Sequence, residues 1–122
     1  MRIAAETGAK FDRYSGHLDN VFFSHPLSQI VLNCANPSEP SVSLDYNGSR
    51  APDSWFALSG KLGAIITGTA AKKIETAVKA CNRNALISSG EFADAETEKA
   101  TITCQAFRRD GGGGNVLINI KE

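Results

Sequence analysis

Arg108, Arg109 and Asp110 stand directly before four consecutive glycines, Gly111 to Gly114, and a run of alternating apolar residues follows. Backbone N–H groups without side chains can form a concavity that binds an anion, and two guanidinium groups would add charge-assisted donors. Phosphate binding is therefore the first chemistry to weigh. Two features oppose it. Asp110 would repel an anion, and phosphate loops draw on a helix N-terminus, whereas NVLINI after the glycines alternates like a strand. The favoured reading is a slack hairpin connection, since unconstrained glycine runs are typical of flexible linkers. The third is a loop that orders only against a partner, with the arginines as contact points.

A second group is basic. Lys72, Lys79 and Arg83 gather on one side of a helical segment, opposite an apolar stripe of Ile74, Ala77, Val78, Cys81 and Ala85, with Glu75 placed to pair with Lys79. Such a stripe can follow a phosphate backbone or meet an acidic protein. It is also the ordinary wet face of an amphipathic helix, and no interleaved aromatics support base stacking.

The remaining reactive side chains are sparse. His17 and His25 are eight apart in a turn-rich region, not at the i, i+4 spacing of a helical metal pair. A partner for either would have to come from elsewhere in space. Glu91, Asp94, Glu96 and Glu98 read as a solvated acidic loop. Cys34, Cys81 and Cys104 have no zinc-ligand spacing. They suit small buried apolar positions, with a Cys81–Cys104 bridge as the alternative in an oxidising compartment. GAIITGTA has P-loop glycine spacing at Gly63 and Gly68, but Thr69 and Ala70 replace the required Lys and Ser/Thr. GKLG alone is too short to make a KH module. No motif is long enough to carry a family resemblance, and no metal or cofactor is expected.

These groups must be positioned by a chain of 122 residues, which favours one domain, 1–122. Thirteen basic and thirteen acidic residues cancel, so any charged partner must be met by a local patch. No apolar stretch is long enough to span a bilayer, and the first residues lack the apolar centre of a signal peptide. The expectation is a cytoplasmic protein, with a mature exported chain carrying an added Met as the alternative.

Residues 1–10 have no periodic pattern and read as a loose arm. Val21 to Ser24 suggests a short strand. In SHPLSQIVLNCAN, Leu27, Ile30, Val31 and Cys34 fall on one helical face, with Pro26 and Ser24 as start signals, while Ile30-Val31 keeps a strand open. SVSLDY alternates, with Val42, Leu44 and Tyr46 on one side, and NGSRAPD closes it as a turn. Pro52 and Asp53 open a helix bearing Trp55, Leu58, Leu62, Ile65 and Ile66. Gly60 and Gly63 count against it unless another backbone approaches closely, and a hairpin turning at Ser59-Gly60 is the alternative. Gly68 ends that helix and Thr69 caps the next, 69–86. KATITCQAF and NVLINI form a terminal β-hairpin.

The fold class expected is α+β: an antiparallel sheet that includes the C-terminal hairpin, packed against two or three central helices. The function expected is non-enzymatic binding of another protein, by an inhibitor, immunity-like or adaptor protein. Its contact residues would be Arg108, Arg109, Asp110, Lys72, Lys79 and Arg83. One alternative is a small-ligand binder or small enzyme using His17, His25 or the Arg108–Gly114 loop. The other, nucleic-acid binding through the basic helix, is disfavoured by the balanced charge. No membrane partner is expected.

Overall fold

Alternating apolar and polar residues build strand after strand. A computed structural model of the chain describes residues 7–14, 20–34, 40–108 and 111–121. The strands are β1 Lys10–Tyr14, β2 Asn20–His25, β3 Ser28–Asn33 and β4 Ser41–Tyr46, then β5 Phe92–Glu96, β6 Ala100–Ala106 and β7 Gly114–Ile120. Between β4 and β5 lie two helices, α1 Asp53–Thr67 and α2 Ala71–Ile87. The strands form one sheet in the order β1-β2-β3-β4-β7-β6-β5, and neighbours run antiparallel. The chain thus leaves the sheet centre at β4, crosses one face as a helix pair, re-enters at the far edge as β5, and returns through β6 to pair β7 with β4. This is the α+β architecture that the element order implies, with two helices packed on the sheet among the described residues.

The covered face is apolar across the sheet. Val42, Leu44, Ile102, Cys104, Val116 and Ile118 meet Trp55, Leu62, Ile74, Val78 and Cys81 in one buried core. Each large apolar side chain taken out of water contributes roughly 1.5–3 kcal/mol, so this face decides the register. Gly60 and Gly63 explain themselves at the α1–α2 contact. A β-carbon on Gly60 would stand 2.5 Å from the Ala71 carbonyl oxygen, and one on Gly63 would stand 2.6 Å from Cγ2 of Ile74. The helix-propensity cost of about 1 kcal/mol per glycine is offset by this close approach, and the hairpin alternative for 53–66 falls.

A small polar network ties the layers together. Trp55 Nε1 donates to the Asp45 carbonyl at 2.9 Å, and Asn82 Nδ2 donates to the Tyr46 hydroxyl at 2.9 Å. The Tyr46 and Trp55 rings meet edge-on at 4.9 Å.

Four sequence expectations change. The helical face read over Leu27–Cys34 is instead part of a hairpin, in which Pro26 and Leu27 form the turn between β2 and β3. Pairing of Ile30 with Leu44 and Leu32 with Val42 supplies long-range contacts that outweigh the local helical spacing. The acidic loop read over 88–98 contains β5. Its covered positions are Ala93 and Ala95, which are too small to give a strong apolar alternation. Thr69 does not cap α2; the N-cap residue is Ala70, with no side-chain cap. Finally, the loose arm is in part structured: Ala9 is buried and Lys10 opens β1. Residues 1–6 lie outside the described residues.

Candidate functional site

The polyglycine turn is built by close approach. Gly111, Gly112 and Gly113 all take positive φ, at 86°, 82° and 95°. A β-carbon on Gly112 would stand 2.5 Å from the Gly48 carbonyl oxygen and 2.7 Å from the Ser49 α-carbon. One on Gly114 would stand 2.7 Å from the Tyr46 hydroxyl. The N–H of Gly113 donates to the Gly48 carbonyl, and Phe107 N–H donates to the Gly113 carbonyl at 2.9 Å. The segment is a hairpin connection, as expected, but not a slack one. Gly112 is required because the Gly48–Ser49 backbone packs directly on it, Gly114 because Gln105 and Tyr46 do, and the positive φ of Gly111 and Gly113 favours glycine there. A phosphate concavity needs its N–H groups pointed at the ligand, and the Gly113 N–H already has an internal acceptor.

Arg108 is likewise engaged inside the fold. Its backbone N–H donates to the Glu91 carboxylate at 2.7 Å, and its guanidinium donates to the Leu86 carbonyl at 2.9 Å, in the last turn of α2. A cation there satisfies a helix-end acceptor and complements the negative end of the helix dipole. Glu91 itself holds a positive φ of 56°, and its carbonyl accepts from Ala106 N–H. Arg109 and Asp110 lie outside the described residues.

The basic stripe is partly neutralised. Nζ of Lys72 and Nζ of Lys79 lie 3.5 Å and 3.4 Å from the same Glu75 carboxylate oxygen. Lys79 also stands 5.9 Å from the centre of the Phe56 ring. Arg83 is exposed on the same helix. Two lysines bracketing one carboxylate present a weaker positive field than three aligned cations would.

His25 holds a turn. Its Nδ1 accepts the Leu27 N–H at 3.1 Å, and its Nε2 lies 3.1 Å from the Thr7 carbonyl oxygen, to which it donates in the matching tautomer. With both ring nitrogens engaged, it is not poised for proton transfer. His17 lies outside the described residues. Cys81 and Cys104 form a disulfide that joins α2 to β6, and Cys34 is free and half-buried. The expectation of three unpaired cysteines is corrected here; helix packing brings together two positions 23 apart in sequence. Among the described residues, no group of three or more His, Cys, Asp and Glu could hold a metal, and no helix is long and apolar enough to cross a membrane.

The structure adds a feature that charge patterning misses. Strand β5 is the last strand of the sheet, and α2 runs beside it. Between α2 and the C-terminal end of β5, with the turn that follows it, lies a shallow groove of about 490 Å³. Lys72, Thr76, Ala77 and Ala80 of α2 form one wall, and Glu96 and Glu98 form the other. The small side chains of Ala77 and Ala80 create the depression, while lysines and glutamates face each other across it. Of the contact residues expected from sequence, only Lys72 reaches this groove, which it shares with Glu96 and Glu98 of the expected acidic loop; the signal that could have located it was the pair of alanines on the wet edge of the helical stripe.

The uncovered sheet face is a different surface. One row of cross-strand partners runs Arg13, Phe22, Val31, Ser43, Leu117, Thr103, Asp94 across all seven strands. Arg13 lies over the Phe22 ring at 4.3 Å. The row is mixed in chemistry, and at its β5–β6 end Asp94 and Thr103 line a shallow depression of about 380 Å³. Comparison with known proteins finds no matching family model, no matching curated protein and no matching solved structure.

Proposed function

We propose that this protein is a binding module that captures an extended segment of another protein along β5. The observation that carries the reading is an edge strand flanked by a helix, with a groove between them. An edge strand presents backbone donors and acceptors to an added strand. Main-chain pairing supplies affinity in that mode, and a neighbouring groove supplies side-chain selectivity. Ala77 and Ala80 leave room for an apolar side chain of the incoming segment. The lysine and glutamate walls favour a segment that carries charges of both signs.

The Cys81–Cys104 disulfide supports the exported alternative over the cytoplasmic one, because such bridges persist in oxidising compartments. The sites singled out by charge play a lesser part here: Arg108 steadies the end of α2, and Lys72 borders the groove.

Panning a random-peptide display library against the folded chain tests the proposal. Enriched peptides should protect β5 amides from hydrogen exchange. Ala80→Glu should weaken their binding at least tenfold, whereas Leu117→Arg on the uncovered face should not. No enrichment, or binding indifferent to Ala80→Glu, overturns the reading.

A further inference from the structure

We propose that the Asn47–Gly48 turn is a self-modifying site, at which deamidation of Asn47 creates an isoaspartate that releases the polyglycine hairpin. The reaction consumes water alone. The Gly48 backbone nitrogen gives its proton to solvent and attacks Cγ of Asn47. A C–N bond forms, the bond from Cγ to the side-chain nitrogen breaks, and that nitrogen takes up a proton and leaves as ammonia. One water then opens the cyclic imide at either carbonyl. Cleavage of the new Cγ–N bond gives aspartate on the native main chain. Cleavage of the original C–N bond gives isoaspartate, whose main chain runs through Cβ and Cγ.

The first support is that Asn47 is the asparagine best placed to react. Of the chain's asparagines, it alone precedes a glycine. A side chain on the following residue shields the attacking nitrogen, and glycine has none. Asn47, Gly48 and Ser49 are all exposed. A β-carbon on Gly48 would meet nothing within 4 Å, so its surroundings are open. Among the described residues, neither the Asn47 side-chain amide nor the Gly48 N–H has a hydrogen-bond partner. Other asparagines are engaged. Asn82 donates to the Tyr46 hydroxyl, Asn33 to Asn20 and Asn115 to Gln105. Asn84 lies inside α2, where the N–H that follows it belongs to the helix ladder.

The second support is what rests on the turn. The Gly48 carbonyl accepts the Gly113 N–H, and Gly112 is pressed against the Gly48 carbonyl and the Ser49 α-carbon. Isoaspartate adds one methylene to the main chain directly before Gly48. The extra length must be taken up on one side or the other. On the N-terminal side stands Tyr46, which is buried, meets the Trp55 ring and accepts from Asn82. The exposed side yields, and the Gly48 carbonyl moves off Gly113. Either product also replaces a neutral amide by a carboxylate, in a chain whose acidic and basic residues otherwise balance. Both products are therefore acidic variants, but isoaspartate is the one that loosens the hairpin.

The site goes beyond the groove reading and lies away from it. Tyr46 pairs with Gly114 and Gly114 with Ala106, at the opposite end of the strands from Glu96. The test incubates the folded full chain in mildly alkaline buffer. Products are followed by isoelectric focusing, by fragmentation of the tryptic peptide that ends at Arg50, and by isoaspartyl methyltransferase labelling located on that peptide. Asn47 should show the amide-to-acid mass gain at least tenfold faster than any other asparagine. The rate should rise with pH, because the attacking nitrogen must lose its proton. Asn47→Gln should abolish the gain. The isoaspartate form, separated by ion exchange, should exchange its Gly113 amide at least tenfold faster and unfold at lower urea. Asn47→Asp, with the same charge on the native main chain, should match wild type in both. Asn47 reacting no faster than the other asparagines, or an isoaspartate form with wild-type protection at Gly113, overturns the proposal. Failure here leaves the peptide experiment on β5 unaffected, so the two readings fall separately.

Discussion

Two turns in this molecule hold left-handed glycine near cationic side chains, and they differ in what packs against the glycine. At Gly111–Gly113 the chain packs onto the Asn47–Ser49 turn, and the Gly113 N–H bonds to the Gly48 carbonyl. Arg108, just before it in sequence, bonds to the end of α2. At Gly68–Ala70 a helix begins without a side-chain cap, a buried hydroxyl lacks a described partner, and two lysines come together from separate segments. Composition draws attention to the first turn. Donor availability does not separate them: the Gly68 N–H donates to the Ala64 carbonyl at 2.9 Å and the Thr69 N–H to the Thr67 hydroxyl at 3.2 Å, so the difference lies in what packs on the glycine. A glycine-rich stretch is evidence of tight backbone geometry, and only the fate of its N–H groups separates packing from ligand binding.

The largest expected effect comes from adding one methyl group at each turn. Gly112→Ala combines a left-handed backbone with a collision against the Gly48 carbonyl and Ser49 backbone. It should destabilise the fold by about 3 kcal/mol, the sum of a left-handed penalty and overpacking. Gly68→Ala meets only Lys99 Nζ, at 4.0 Å, and should cost about 1 kcal/mol, the backbone penalty alone. Urea denaturation of both variants gives the comparison directly, provided the slope is unchanged. Equal costs would mean that the polyglycine turn is not locked onto its neighbour.

A smaller effect is expected at Arg108. Arg108→Ala removes the bond to the Leu86 carbonyl but keeps the backbone N–H bond to Glu91. For a bond at an exposed helix end, the loss should be about 0.5–1 kcal/mol. Peptides selected on the β5 groove should bind the variant with unchanged affinity. A tenfold loss of binding would restore Arg108 to the interface and blur the distinction between the two turns.

How much of this could be read from residues alone depends on where the determining contacts lie. Periodicity located β4, α1, α2 and the β6–β7 hairpin, because each buries a strong apolar face of its own. It misread Leu27–Cys34, where a helical spacing coincides with strand alternation and only pairing with β4 decides. It missed β5, whose covered residues are alanines. The sites fared worse for a related reason. Arg108 and Lys72 were visible as charges, but their partners, Leu86 and Glu75, show whether a charge is free to act. Lys99 and Thr69 are 30 positions apart and look unremarkable until the helix crossover brings β6 back to the start of α2. The disulfide was legible as a pairing of two positions but not as a fact, since its formation rests on that same crossover.

The smallest expected change is also the most discriminating. Thr69→Val replaces a buried hydroxyl by a methyl group of nearly the same shape. Where a buried hydroxyl has a good partner, such a change costs about 1 kcal/mol or more. Where it has none, burial of the lone polar group is itself unfavourable, and its removal is neutral or stabilising. Thr69→Val should therefore leave the unfolding free energy unchanged or raise it by up to about 1 kcal/mol, read by urea denaturation. A variant less stable than wild type would place an internal partner on Thr69. The Gly68 corner would then resemble the polyglycine turn, with its polar groups already used by the fold.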